Sequence, residues 1–143
     1  MSEMVELVRA LFDAVEALDV RAVVSCYDEE VEIHEAESLP YGGVYRGREG
    51  GREHWESVIA AWGPFKTPET LALDPVFIDG NQDTVAVLFR ARGVDGAGSH
   101  FDEGEVGVYR VADGKIVRSQ MFHADTAAVA EFLERAPGGA LVS

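Results

Sequence analysis

The order in which two apolar periodicities follow one another most constrains how this chain can fold. A spacing of three to four residues, typical of amphipathic helices, marks residues 4–18, 19–27 and 48–62. An alternation with a period of two, typical of strands, marks residues 31–35, 71–78, 84–92, 100–111 and 115–123. Asp125 can cap a last helix over residues 126–135. Because four strands follow one another, we expect an α+β domain with helices packed on one face of an antiparallel sheet.

The length of the chain predicts one domain. Its 143 residues suffice to bury a core without a disulfide or a metal ion. We therefore expect a single domain over residues 1–143, with residues 136–143 forming a flexible tail. Cys26 is the one cysteine, so the chain has neither an internal disulfide nor a metal site built from several cysteines.

Charge excludes two classes of partner. The formal net charge is −14, from 26 acidic and 12 basic side chains. Nucleic acids and anionic membrane surfaces both need clustered basic groups, so we expect neither as a partner. The first residues lack the basic flank and apolar core of a signal peptide, and we expect a cytoplasmic protein.

Three segments carry a resemblance to a known family. They are residues 17–35 (ALDVRAVVSCYDEEVEIHE), residues 41–50 (YGGVYRGREG) and residues 113–125, which begin DGKIVR and end FHAD. In their order and spacing the chain resembles the nuclear transport factor 2-like superfamily, which includes ketosteroid isomerases and SnoaL-like polyketide cyclases. The resemblance implies a cone-shaped, cystatin-like domain and a homodimer. In such a domain three helices from the N-terminal half cover the concave face of a curved antiparallel sheet, and a short C-terminal helix follows.

The same resemblance suggests residues for a site. The general base of ketosteroid isomerases falls on Glu35, and their pocket aromatics fall on Tyr27, Trp55 and His123.

The two side chains that bind the enolate oxygen in ketosteroid isomerases fall on Leu11 and Gly107. Each lost donor would cost about 3–4 kcal/mol of transition-state stabilisation. We therefore expect that this protein is not a ketosteroid isomerase.

Strand alternation provides independent support for Glu35. It continues the apolar face of Val31 and Ile33, so its carboxyl group should point under the helices, where desolvation raises its pKa and suits it to act as a general base. The alternative is that Glu35 reaches solvent at the end of its strand.

His123 shares a strand face with Ser119 and Met121 and could line the same pocket as an acid or donor. The alternative is a buried histidine bonded to a backbone carbonyl. We expect His54 and His100 to be solvated, and His34 to lie on the opposite face of its strand, where it would be structural or part of an interface.

Glu103 and Glu105 alternate on one strand face with Tyr109. If that face is the inner one, two neighbouring carboxyl groups would leave one of them protonated as a donor. If it is the outer one, both acids are simply solvated. Asp125 is most simply a helix cap.

The predicted function is acid–base chemistry without a cofactor or metal ion on a small apolar carbonyl compound. The reaction would be an isomerisation, cyclisation or dehydration in secondary metabolism or in degradation. Glu35 and His123 are the candidate catalytic residues. The candidate substrate-binding residues, each of which could instead be a core or solvated side chain, are Phe12, Tyr27, Trp55, Phe89, Glu103, Glu105, Tyr109, Ser119 and Met121.

Other chemistry has less support in the sequence. The chain contains no phosphate-binding loop and no histidine spacing typical of zinc. The epoxide hydrolase branch of the superfamily uses an Asp-Arg-Asp set, whereas Arg90, Arg92 and Arg118 are expected to point away from the pocket. The alternative to an enzyme is a module of the same fold that binds a ligand or dimerises without turnover.

Overall fold

The computed structural model describes residues 2–138, which form one curved, mixed sheet with helices packed against it. The helices are α1 (Glu3–Glu16), α2 (Val20–Ser25), α3 (Gly47–Trp62) and α4 (Thr126–Leu133), with short 3-10 turns at Gly63–Phe65 and Glu69–Leu71. The strands are β1 (Tyr27–Glu35), β2 (Gly43–Arg46), β3 (Val76–Asp79), β4 (Thr84–Val94), β5 (His100–Ala112) and β6 (Lys115–His123). The predicted α+β class is confirmed. Residues 139–143 of the predicted tail lie outside the described part of the chain.

Side-chain caps mark the beginnings of α1, α2 and α4. Ser2 Oγ accepts a hydrogen bond from the Val5 amide, and the Asp19 carboxylate accepts one from the Ala22 amide. The predicted cap at Asp125 is confirmed, since its carboxylate accepts a hydrogen bond of 3.0 Å from the Ala128 amide. Each cap satisfies an amide that the first turn of a helix leaves without a partner.

The strands run in the order β2-β1-β6-β5-β4-β3. All neighbouring pairs are antiparallel except β1 and β6, which are parallel, with Ile33 opposite Ser119. The expectation of a purely antiparallel sheet is wrong at this pair. Strands so far apart in the chain are not joined by a hairpin, so tertiary packing sets their relative direction.

Two boundaries also differ from expectation. No strand is predicted over residues 43–46, but they form β2, which pairs with the end of β1. The predicted strand over 71–78 is shorter, because residues 69–71 form a 3-10 turn and only Val76–Asp79 pair with β4. In both places pairing with a neighbouring strand decides the outcome over local composition.

Buried apolar side chains form two groups. One joins α1 to the sheet and includes Leu11, Phe12 and Val87. The other lies towards the C-terminal helix and includes Trp62 and Phe132. Among residues 2–138, no helix has both the length and the apolar character needed to cross a membrane.

Candidate active site

A cavity opens between the helices and the sheet, where side chains of both apolar groups meet. The cavity has a volume of about 120 Å³. Its walls are mainly apolar and come from α1, α3 and the inner face of β4, β5 and β6. Among the lining side chains are Leu11, Phe12, Trp55, Trp62, Phe89, Tyr109 and Met121.

Glu35 lines this cavity from the end of β1 and is paired with His54 of α3. Glu35 Oε2 lies 2.7 Å from His54 Nε2, and the two side chains are only 4% and 2% exposed. Burial raises the pKa of Glu35 to about 8 and lowers the pKa of His54 to about 3. Both shifts favour uncharged groups, so near neutral pH the pair consists of a carboxylic acid and a neutral imidazole. The expectation that His54 is solvated is wrong.

His54 could have been found from the helical spacing. It lies four residues before Val58 and eight before Trp62, and Trp62 is buried. Its charged neighbour Glu53 occupies a different face of the helix and is exposed.

Glu105 approaches the same cavity from β5, so of the two alternatives for its strand face the inner one is observed for this residue. Burial and the nearby charge of Glu35 raise the pKa of Glu105 well above its ordinary value, which Lys66 partly opposes. The cavity therefore presents two carboxyl groups that resist ionisation together.

His123 pairs with Glu105 across β5 and β6. Its Nε2 lies 3.4 Å from Glu105 Oε1, in a side chain only 2% exposed. Neither ring nitrogen has a hydrogen-bond partner within residues 2–138, and burial lowers the pKa of His123 to about 4. His123 lies beside Glu35 in an adjoining groove and does not line the apolar cavity itself.

Glu35, Glu105 and His123 together offer three donor atoms within 4.8 Å of one another. Two carboxylates and an imidazole are ligands that a divalent transition metal could share. The sequence search for zinc spacing could not reveal this set, since the three residues come from three strands that are distant in the chain.

Lys66, which the sequence analysis did not single out, also lines the cavity. Its Nζ donates hydrogen bonds to the backbone carbonyl oxygens of Thr70 and Arg92. The ammonium group lies 5.1 Å from the centre of the Trp62 ring. Burial lowers the pKa of Lys66 to about 8.

Two tyrosine–tryptophan pairs support the walls. Trp55 Nε1 donates to the Tyr27 hydroxyl at 2.7 Å, and Trp62 Nε1 donates to the Tyr41 hydroxyl at 2.9 Å. Tyr41 lines the cavity, whereas Tyr27 is buried behind it. Tyr27 therefore positions Trp55 and does not meet the cavity.

The structure does not bring every predicted residue to the cavity. Phe12, Trp55, Phe89, Tyr109 and Met121 line it together with Glu35 and Glu105. The predicted residues that lie elsewhere are Tyr27, Glu103, Ser119 and His123, and Ser119 is buried under the sheet face at 2% exposure.

Arginines and the remaining histidines occupy other places. Arg90 is part of the cavity wall, contrary to expectation, but its Nε donates to Asp102 at 2.8 Å. His34 lies 3.0 Å from Glu32, and His100 is exposed as expected.

The Tyr109 hydroxyl occupies the space beside Gly107. A Cβ atom at Gly107 would lie 2.7 Å from the Tyr109 hydroxyl and 3.0 Å from Met121 Cε. No side chain fits there without displacing Tyr109. The Tyr109 hydroxyl makes only a long contact of 4.0 Å with the Met121 sulfur, so it is available as a donor close to the position where ketosteroid isomerases carry an aspartate.

The sequence was compared with models of protein families and with known proteins. The model of the SnoaL-like domain matches residues 8–119. A comparison with curated proteins finds no match.

Three solved structures illustrate the structural likeness. TerC, co-crystallised with polyporic acid, shares 24% identity, covers 93% of this chain and 99% of its own, and superimposes with a TM-score of 0.77. A putative polyketide cyclase from Xanthomonas campestris pv. campestris shares 16% identity over 92% of this chain and 97% of its own, with a TM-score of 0.70. SalBIII, an epoxide hydrolase/cyclase-like enzyme of pyran ring formation in salinomycin, shares 23% identity over 85% and 90% of the two chains, with a TM-score of 0.64.

Proposed function

Because the chain belongs to the SnoaL-like domain family, we propose that it is an enzyme of acid–base chemistry on a small, largely apolar carbonyl compound. The observation that carries the proposal is the buried Glu35–His54 pair at the wall of an apolar cavity. Isomerisation, cyclisation and dehydration all begin with proton transfer beside a carbonyl group, which is the step such a pair can perform. The cyclase names of two structural neighbours favour the same reaction class.

Glu35 is the general base in this proposal. Its Oε2 is bonded to His54, whereas Oε1 has no hydrogen-bond partner among the described residues. Ionised Glu35 takes a proton from the carbon next to the carbonyl group through Oε1, and the protonated acid then returns it to the same molecule. His54 is a positioning residue, since a neutral imidazole can donate Nε2–H to Oε2 and hold the carboxylate in place.

The developing enolate oxygen needs donors in a cavity that excludes water. Protonated Glu105 and the Tyr109 hydroxyl both line the cavity and replace the donors that are missing at Leu11 and Gly107. Loss of one such donor costs about 3–4 kcal/mol in other enzymes. His123 contacts Glu105 and takes the assisting role through that carboxyl group.

Solvent deuterium exchange tests the proposal. Proton NMR follows the loss of α-proton signals from a panel of small apolar ketones in deuterated buffer. We expect the wild-type protein to accelerate exchange for at least one ketone, and Glu35→Gln to lose about 100-fold or more of that rate. Glu30→Gln is the matched control, because Glu30 lies on the same strand but is exposed. An E35Q variant that exchanges as fast as the wild type would eliminate Glu35 as the base.

The outer face of the sheet supports the expected homodimer. Val76, Leu88, Val106 and Phe122 are direct neighbours across β3, β4, β5 and β6. Val76, Leu88 and Phe122 are 60%, 44% and 48% exposed. An apolar row of this kind on the face opposite the cavity is suited to cover the same row of a second copy.

A further inference from the structure

The acid–base mechanism leaves Lys66 without a role, although it lines the same cavity as Glu35. An ammonium group has three N–H donors. Two of them are bonded to the carbonyl oxygens of Thr70 and Arg92. The third has no acceptor among residues 2–138.

The charge of Lys66 is also not neutralised by an ion pair. Within residues 2–138, no carboxylate lies within 4.0 Å of its Nζ, although Glu105 acts on it at longer range. The Trp62 ring, 5.1 Å away, provides a partial substitute. A partly buried cation of this kind is costly unless a negative group completes its surroundings.

The other groups of the cavity limit what that negative group can be. The mainly apolar, aromatic walls would not solvate a compact dianion such as phosphate, whereas they favour a flat, apolar body. An ionised enol meets both conditions, since its single charge is delocalised over a planar conjugated system.

We infer that Lys66 forms an anion-binding subsite for the ionised oxygen of a planar enolic substrate, such as a cyclic β-dicarbonyl compound or a hydroxyquinone. The inference rests on the proposed function, because it places the carbonyl substrate of that chemistry between Lys66 and Glu35. It adds the substrate class, which acid–base chemistry alone leaves open.

A matched pair of probes tests this subsite by isothermal titration calorimetry at neutral pH. The first is 2-hydroxy-1,4-naphthoquinone, whose enol is ionised at that pH, and the second is 2-methoxy-1,4-naphthoquinone, which cannot ionise. We expect the wild-type protein to bind the hydroxy compound at least tenfold more tightly. Lys66→Met should bind both compounds equally, and Lys66→Arg should retain a preference for the hydroxy compound.

Lys115, the other lysine of the chain, is the matched control. Its Nζ donates a hydrogen bond of 2.8 Å to the Ser25 carbonyl oxygen, and it does not line the cavity. Lys115→Met should keep the tenfold preference. Unchanged affinity of K66M for the methoxy compound shows that the cavity is intact in that variant.

Equal binding of the two probes by the wild type, failure to bind either, or a preserved preference in K66M would overturn the inference. These outcomes are distinct from failure of the proposed function. An E35Q variant that keeps the hydroxyquinone preference but exchanges α-protons at the wild-type rate would overturn the general base and leave the Lys66 subsite standing.

Discussion

Glu35 is costly to the folded protein as well as useful to its chemistry. Burial raises its pKa from the ordinary 4.5 to about 8, so between these values the folded state holds a proton that the unfolded chain has released. Stability therefore falls as pH rises through this window. The histidines act in the opposite direction, but only below 6.5, because burial lowers the pKa of both His54 and His123 from that value.

In the window from pH 6.5 to about 7 the buried carboxyl groups dominate the pH dependence, because the histidines act below it and Lys66, whose pKa burial lowers to about 8, acts in the opposite direction above it. We expect the free energy of unfolding of the wild type to decrease across it, by up to about 1.4 kcal/mol per pH unit for each carboxyl group. Glu35→Gln should show a shallower slope, since an amide does not titrate. Chemical denaturation at several pH values measures this, and equal slopes for wild type, E35Q and the exposed control E30Q would contradict it.

His54 is predicted to act through Glu35. Replacing it by leucine removes the Nε2–H that stabilises the carboxylate form, so the pKa of Glu35 should rise further. We expect the pH midpoint of ketone exchange in His54→Leu to move above the wild-type midpoint near 8, with a lower rate at neutral pH. His54→Gln keeps a donor and should shift the midpoint less. A simple loss of stability in H54L would lower the amount of folded protein without moving this midpoint.

At the scale of elements, α3 contributes several of the side chains that form the site. It supplies His54, Trp55 and Trp62 to the cavity region, and its glycine at position 51 lets it approach the sheet. A Cβ atom at Gly51 would lie 2.8 Å from the Tyr27 ring. The close contact explains a glycine in a helix interior, where it costs about 1 kcal/mol relative to alanine.

Gly51→Ala should therefore destabilise the protein, against the ordinary effect of this change in a helix. We expect a loss of about 1–3 kcal/mol in the free energy of unfolding, because the buried Tyr27 ring cannot move without disturbing Trp55. Gly50→Ala is the comparison, since its Cβ would approach the Tyr45 backbone only to 3.3 Å. If urea denaturation finds G51A more stable than the wild type, the packing of α3 on Tyr27 is not as tight as described.

At the scale of the whole molecule, two faces of one sheet have different tasks. The inner face builds the cavity, and the outer face carries the apolar row of Val76, Leu88, Val106 and Phe122. Because alternate residues of a strand point to opposite faces, the two sets interleave along the same strands. Substitutions in the apolar row can therefore leave the cavity unaltered.

Sedimentation velocity tests the proposed homodimer. We expect a dimer for the wild type and a monomer for Phe122→Asp, because a carboxylate in the apolar row would be desolvated on association. Phe122→Leu keeps the surface apolar and should remain dimeric. A wild-type protein that sediments as a monomer at micromolar concentration would remove the support for a dimer through this face.

Much of the fold followed from local pattern. The order of helices and strands apart from β2, the capping role of Asp125 and the inward direction of Glu35 agree with the structure. Such features depend on residues within one element, and periodicity reports them directly.

The sequence alone predicted the apolar faces of α1, α3 and β1, whereas it left the orientation of β5 open. Only the tertiary structure decided what lies across from each face: the parallel pairing of β1 with β6, the 2.7 Å contact of Glu35 with His54 and the approach of Lys66 to the cavity. The physical reason is that a contact between distant segments depends on how whole elements pack. Periodicity describes one element at a time, and therefore identified Glu35 without its partner.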